Sequence, residues 1–71
     1  MFQLIVTGPL DDQWEERDTL IYSIVGRKGD FSGAGMRERQ HGWNIRDFDE
    51  AAKFRKELSE IQGLKVSLRE K

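Results

Sequence analysis

Apolar residues recur along the chain at two spacings, and each spacing predicts one type of secondary structure. Residues 64–69 alternate between apolar and polar, while residues 2–7 form a short apolar segment rich in β-branched side chains, so both are predicted strands. Apolar positions three or four residues apart in residues 14–25 and 51–61 predict two helices. Gly26 and Gly63 follow these helical patterns and are expected to end them.

Acidic residues mark the expected start of each helix. Asp12 precedes Glu15 by three positions, and Asp47 precedes Glu50 by the same spacing. An acidic side chain at the N-cap can accept a hydrogen bond from a free backbone N–H, and a glutamate three residues later completes a capping box. We therefore expect caps at Asp11 or Asp12 for the first helix and at Asp47 for the second.

The middle of the chain is predicted to hold a β-hairpin. Residues 27–35 are rich in glycine and indicate a loop, while residues 36–40 and 43–46 flank the pair His41 and Gly42. Such a pair suits a tight turn with positive φ angles. We expect two strands joined at His41 and Gly42.

The resulting order is strand, helix, strand, strand, helix, strand, in a single domain spanning residues 1–71. This order resembles the ferredoxin-like split βαβ fold, an α+β architecture. The resemblance implies a four-stranded antiparallel sheet with spatial order 4-1-3-2 and both helices on one face. Because that fold supports many unrelated functions, it names none of them.

Strand alternation assigns each strand residue to the helix-covered face or to the open face of the sheet. The expected core-facing residues are Phe2, Leu4, Val6, Trp43, Ile45, Leu64, Val66 and Leu68, with Met36, Glu38 and Gln40 on the same side. The expected open face holds Gln3, Ile5, Thr7, Gly33, Gly35, Arg37, Arg39, Asn44, Arg46, Lys65, Ser67 and Arg69.

The charges of the chain are distributed unevenly over these predicted elements. Twelve basic and 13 acidic residues give a net charge of −1, yet the expected open face carries five cations and no anion. The first helix region is acidic, with Asp11, Asp12, Glu15, Glu16 and Asp18 against Arg17 alone. The small net charge is therefore expected to hide a basic sheet and an acidic helix.

This pattern favours a small binding module whose open face meets an anionic partner, either nucleic acid or an acidic protein surface. The expected contact residues are Arg37, Arg39, Arg46, Lys65, Arg69, Asn44 and Ile5. A solvated sheet face also needs polar side chains, so the same pattern is compatible with no binding role. The alternative function is protein–protein interaction or homodimer formation through the exposed Ile5 or through an edge strand.

The RNA-recognition motif is similar in element order and stacks bases on aromatic residues of its two central strands. The corresponding outward positions here are Ile5, Thr7, Asn44 and Arg46, none of which is aromatic. Phe31 and Trp43 are interpreted as core residues. The sequence therefore disfavours base stacking and leaves phosphate contacts as the expected mode.

The residues needed for catalysis or metal binding are scarce. The chain has no cysteine and a single histidine, His41, which is expected at the hairpin tip. We therefore expect no enzyme activity, no metal and no cofactor. With 37% hydrophobic and 35% charged residues, the chain is too apolar for a disordered tail and too polar for a membrane span. No export signal is visible, so a cytoplasmic location is expected.

Overall fold

The computed structural model describes residues 1–70 and shows the expected order of elements. The strands are β1 (Phe2–Pro9), β2 (Phe31–Gly35), β3 (Glu38–Ile45) and β4 (Lys65–Glu70), and the helices are α1 (Trp14–Val25) and α2 (Phe48–Ser59). The four strands form one antiparallel sheet in the order β2-β3-β1-β4. The predicted ferredoxin-like α+β fold is confirmed.

The core lies between the sheet and the two helices. Its buried apolar residues are Leu4, Val6, Ile21, Trp43, Ile45, Ala51 and Leu58. Leu4 and Val6 pair with Leu68 and Val66 of β4, which are partly buried against the same cluster. The core-facing assignments predicted for β1, β4 and the end of β3 are confirmed.

The two helices begin in different ways. Asp47 accepts a hydrogen bond from the backbone N–H of Asp49 at 3.0 Å, which confirms it as the N-cap of α2. The N-cap of α1 is Gln13, without a side-chain cap, and Asp11 instead accepts the N–H of Gln13 at 3.0 Å. The expected cap at Asp11 or Asp12 is therefore wrong. The Asp11 carboxylate is used in a turn just before the helix, where it also pairs with Arg17.

Only one of the two expected glycines ends a helix. Gly26 caps α1 with a φ of 89°, and its N–H donates to the carbonyl of Tyr22 at 2.8 Å. The second helix ends at Ser59 with Glu60 as its C-cap, so the expected end at Gly63 is wrong; Gly63, with a φ of 91°, lies in the connection from α2 to β4. Among residues 1–70 no helix is long and apolar enough to cross a bilayer.

The central hairpin turns at a different place from the one predicted. β2 pairs with β3 so that Gly35 faces Glu38, which leaves Met36 and Arg37 as the turn. His41 and Gly42 lie inside β3, opposite Val6 and Ile5 of β1. The predicted turn at these two residues is wrong.

A close contact explains the glycine inside β3. Gly42 pairs with Phe31 across the hairpin, and a Cβ atom at Gly42 would lie 2.0 Å from the tip of the Phe31 ring. A side chain at position 42 would therefore displace the Phe31 ring from its place over the strand. The positive φ that the turn requires is supplied by Arg37, at 87°.

Because the hairpin turns at Met36 and Arg37, residues 38–40 lie on the opposite face of the sheet from the one predicted for them. Because residues 38–45 form one continuous strand, Glu38 and Gln40 share the open face with Asn44, whereas Arg39 lies on the helix side with His41. Met36, expected on the core side, is 94% exposed in the turn. The predicted faces of Met36, Glu38, Gln40 and Arg39 are all corrected.

Candidate binding face

Strand pairing arranges the open face of the sheet in three rows that run across it. The central row is Phe31, Gly42, Ile5 and Ser67; a second row is Gly33, Gln40, Thr7 and Lys65; a third is Asn44, Gln3 and Arg69. In residues 1–70 both helices pack against the other side. These rows define what we call the open face.

An apolar centre occupies the middle of the open face. The Phe31 side chain, expected in the core, lies on β2 with its ring tip over Gly42 and is 38% exposed. Ile5 is the neighbour of Gly42 on β1 and keeps the central position predicted for it. An exposed aromatic side chain and a half-buried aliphatic side chain therefore lie on either side of Gly42.

Amide and hydroxyl groups surround this apolar centre. Gln40 and Thr7 lie in the row on one side, and Asn44 and Gln3 lie in the row on the other. The Oδ1 atom of Asn44 is shielded from solvent and accepts no hydrogen bond within residues 1–70. Gln40, Thr7 and Gln3 therefore offer donors and acceptors around the apolar centre, whereas Asn44 Oδ1 is not accessible to a ligand.

The backbone of Asn44 is held by the loop before β2. Its N–H donates to Asp30 Oδ2 at 2.8 Å, and its carbonyl accepts a hydrogen bond from the Arg27 guanidinium at 3.3 Å. The Asn44 N–H and the ion pair with Arg27 lower the pKa of Asp30 below its usual value. Asp30 and Arg27 neutralise each other there, so this corner adds little net charge to the open face.

The candidate cations lie at two ends of the sheet. Lys65 lies opposite Thr7, near Arg37 in the turn, and both line an open groove of about 390 Å³. Arg69 lies opposite Gln3 at the other end, where Arg46 follows the last residue of β3. Neither Lys65 nor Arg69 forms a salt bridge within residues 1–70.

The open face is less basic than the sequence indicates. Only Lys65 and Arg69 are cations within its rows, while Arg37 and Arg46 lie at its margins. Glu38, expected on the core side, adds an anion at the edge of the same face, opposite Pro9. The placement of Ile5, Asn44, Lys65 and Arg69 is confirmed, and their binding role stays a prediction.

Arg39 is part of a charged cluster beneath the sheet and does not reach the open face. Its Nε atom donates to Asp18 Oδ2 at 2.9 Å, and its guanidinium carbon lies 4.5 Å from the centre of the Trp14 ring. Asp18 also contacts the Nε2 atom of His41 at 3.0 Å, and the Nδ1 atom of His41 lies 3.4 Å from the Tyr22 hydroxyl. Asp18 and His41 are both buried.

This cluster anchors α1 to β3 and has no room for a substrate. A chain of contacts from an aspartate through a histidine to a hydroxyl group is found in many catalytic sites that use a nucleophile. The cavity beside Asp18, Arg39 and His41 has a volume of about 10 Å³, close to the minimum for one water molecule. The sequence did not predict the cluster because Asp18 and His41 are 23 residues apart. The one feature of the sequence that could have indicated it was an aspartate, Asp18, on the core side of a predicted helix.

Comparison of the chain with models of known protein families, with curated proteins and with solved structures finds no significant match. The surface described above is therefore the basis for a proposal on function.

Proposed function

We propose that this chain is a non-catalytic binding module that takes an extended single strand of nucleic acid on its open face. The observation that carries the proposal is the exposed Phe31 ring in the central row of that face. It is joined by amide groups in the neighbouring rows and by Lys65 and Arg69 on β4. This combination provides a base-stacking platform, hydrogen-bonding groups and phosphate contacts on one surface.

The Phe31 ring supplies the stacking surface that the sequence-based assignment lacked. Stacking of a base on an aromatic side chain contributes about 1–3 kcal/mol and tolerates any base. Ile5 extends the apolar surface beyond Gly42, while Gln40 and Gln3 can read base edges in the rows on either side. Recognition by this face is expected to combine stacking with weak base preference.

The dimensions of the open face set the size of the bound segment. From β2 to β4 the sheet spans three strand spacings, roughly 14 Å in total. A strand with the stacked spacing of a duplex rises about 3.4 Å per nucleotide, so the face accommodates at most about four nucleotides, and fewer of an extended strand. One bound segment can then place a base on Phe31 and a phosphate near Lys65 or Arg69.

The experiment is a titration of a fluorescently labelled single-stranded oligonucleotide of about ten nucleotides, followed by anisotropy at low salt. Phe31→Ala is expected to weaken binding by about 5-fold to 150-fold, the equivalent of about 1–3 kcal/mol. Ser32→Ala is the matched control, because Ser32 is the next residue of the same strand and lies on the opposite face. Equal affinity of these two variants, or no binding by the unmodified chain, would contradict the proposal.

The salt dependence tests the contribution of the cations. Two phosphate contacts predict a slope of log K against log salt of about −1.4, at about −0.7 per contact on a single strand. Lys65→Gln combined with Arg69→Gln should remove most of that slope. Arg39 is unsuitable as a probe because its substitution would break the cluster with Asp18.

The alternative is a protein-interaction module that packs Phe31 and Ile5 against apolar side chains of a partner. It is favoured by the apolar centre and by the small number of cations in the rows of the open face, Lys65 and Arg69. Such binding would depend little on salt, and the oligonucleotide titration would show no affinity. The titration therefore separates the two functions.

A further inference from the structure

The two edges of the sheet differ in how well they are protected against pairing. Strands at the edges present unpaired N–H and C=O groups, which natural proteins protect with charged residues or proline. β4 carries Lys65, Arg69 and Glu70. β2, with the sequence FSGAG, has no charge and no proline, and all five of its residues are exposed. β2 is therefore an edge on which another strand can pair.

We propose that β2 pairs with β2 of a second copy of this chain, antiparallel and around a two-fold axis at Gly33. Two four-stranded sheets would then form one sheet of eight strands. A two-fold interface uses the same surface on both subunits, so β2 must be complementary to itself. Both its side-chain sizes and the charges beside it meet this requirement.

Side-chain sizes match in the register centred on Gly33. Phe31 of one copy then faces Gly35 of the other, and Ser32 faces Ala34. A Cβ atom at Gly33 or Gly35 would meet no atom within 4 Å, so the space beside these glycines is open. Phe31 already packs on Gly42 within its own sheet, and Gly35 of the second copy extends that arrangement.

Charges beside β2 select an antiparallel second copy. Asp30 precedes the strand and Arg37 lies in the turn that follows it. In the register centred on Gly33, residue 30 of one copy faces residue 36 of the other, so Arg37 of one copy lies close to Asp30 of the other, twice by symmetry. Asp30 already pairs with Arg27 of its own copy, so Arg37 would join an existing ion pair and the added attraction is small. Within residues 1–70 Arg37 forms no salt bridge. A parallel pairing in register would instead bring like charges together.

The size of the contact indicates a weak dimer. A pairing of five-residue strands buries less than the roughly 1,200–2,000 Å² of a stable specific interface. We therefore expect a dissociation constant above about 1 μM, and we expect dimer formation only at high protein concentration.

The test is sedimentation equilibrium of the whole chain at protein concentrations from about 10 μM to about 1 mM, a range chosen to span weak association. The unmodified chain should approach twice its monomer mass. Gly33→Lys and Gly33→Glu should each weaken dimerisation at least tenfold, because each places two like charges on the axis. An equal mixture of the two variants should restore the dimer, because residue 33 then pairs lysine with glutamate.

Ser67→Lys on β4 is the matched control, since Ser67 is an exposed residue of the same face and lies away from β2. It should leave the mass unchanged, and circular dichroism should show that all variants fold. A monomer at the highest concentration, a dimer unaffected by Gly33→Lys, or a mixture that stays monomeric would each overturn the proposal. Oligonucleotide titration at sub-micromolar protein tests the open face separately, so either proposal can fail alone.

Discussion

Substitution of Asp18 by alanine removes the central group of the buried charged cluster. The Asp18 carboxylate accepts from Arg39 at 2.9 Å, contacts His41 at 3.0 Å, and belongs to a residue that is only 8% exposed. Asp18→Ala leaves the guanidinium and the imidazole without their partner beneath the sheet. His41, at 1% exposure, cannot recover this contact with water.

The loss of stability can be estimated from this geometry. Breaking a buried ion pair by removing one partner costs about 3–5 kcal/mol. The Arg39 side chain is 25% exposed and regains some hydration, so we expect a loss of about 2–3 kcal/mol for Asp18→Ala. A chain of 71 residues has a total free energy of unfolding of roughly 4–11 kcal/mol. The variant should fold, with a melting temperature lower by about 10–20 °C.

Urea and thermal unfolding followed by far-UV circular dichroism measure this effect. Glu16→Ala is the control, because Glu16 is an exposed acid of the same helix, and it should change stability by less than about 0.5 kcal/mol. Adding Arg39→Met to Asp18→Ala should recover part of the loss, since no unpaired guanidinium then remains. A loss below about 1 kcal/mol for Asp18→Ala, or no recovery in the double variant, would refute the reasoning.

Two further predictions concern the loop before β2. The Asn44 N–H and then Arg27 lower the pKa of Asp30, so Asp30 stabilises the fold above its unfolded pKa of about 3.9 and less as pH falls through its folded value. The stability difference between the unmodified chain and Asp30→Ala, followed by urea unfolding, should therefore shrink below about pH 4; a constant difference would contradict this assignment. Gly29→Ala should cost about 1–3 kcal/mol, because its Cβ would lie 2.9 Å from a backbone oxygen of β2. Gly33→Ala, with open space around it, should be nearly neutral in the same assay, and similar losses for both would show that the contact does not matter.

The prediction of the candidate face was right where local apolar alternation fixes the phase of a strand. Ile5 lies between two buried residues of β1, and Lys65 and Arg69 alternate with Val66 and Leu68 of β4, so all three were placed correctly. Asn44 was placed correctly because Trp43 and Ile45 on either side of it are buried. Two decisive residues were misplaced: Arg39, which is ion-paired to Asp18, and Phe31, which is exposed on the open face.

The turn of the central hairpin shows why residues of this region were misplaced. Residues 36–42 contain one apolar side chain, Met36, so alternation gives no phase there, and His41 with Gly42 is the strongest local turn signal. The turn that forms, Met36 and Arg37, lacks glycine, asparagine or proline. Because a one-residue change of phase exchanges the two faces of a strand, this error moved every charge between residues 37 and 40.

The sequence by itself determined the order of the elements, the core faces of β1 and β4, and the cap at Asp47, because each depends on residues a few positions apart. The tertiary structure alone decided where the hairpin turns and which charges remain free. Those outcomes depend on contacts between distant residues: Phe31 covers Gly42, and Asp18 binds Arg39 across the space between a helix and the sheet. The free energy of those contacts outweighs a local preference for a turn, and no short-range pattern in the chain records it.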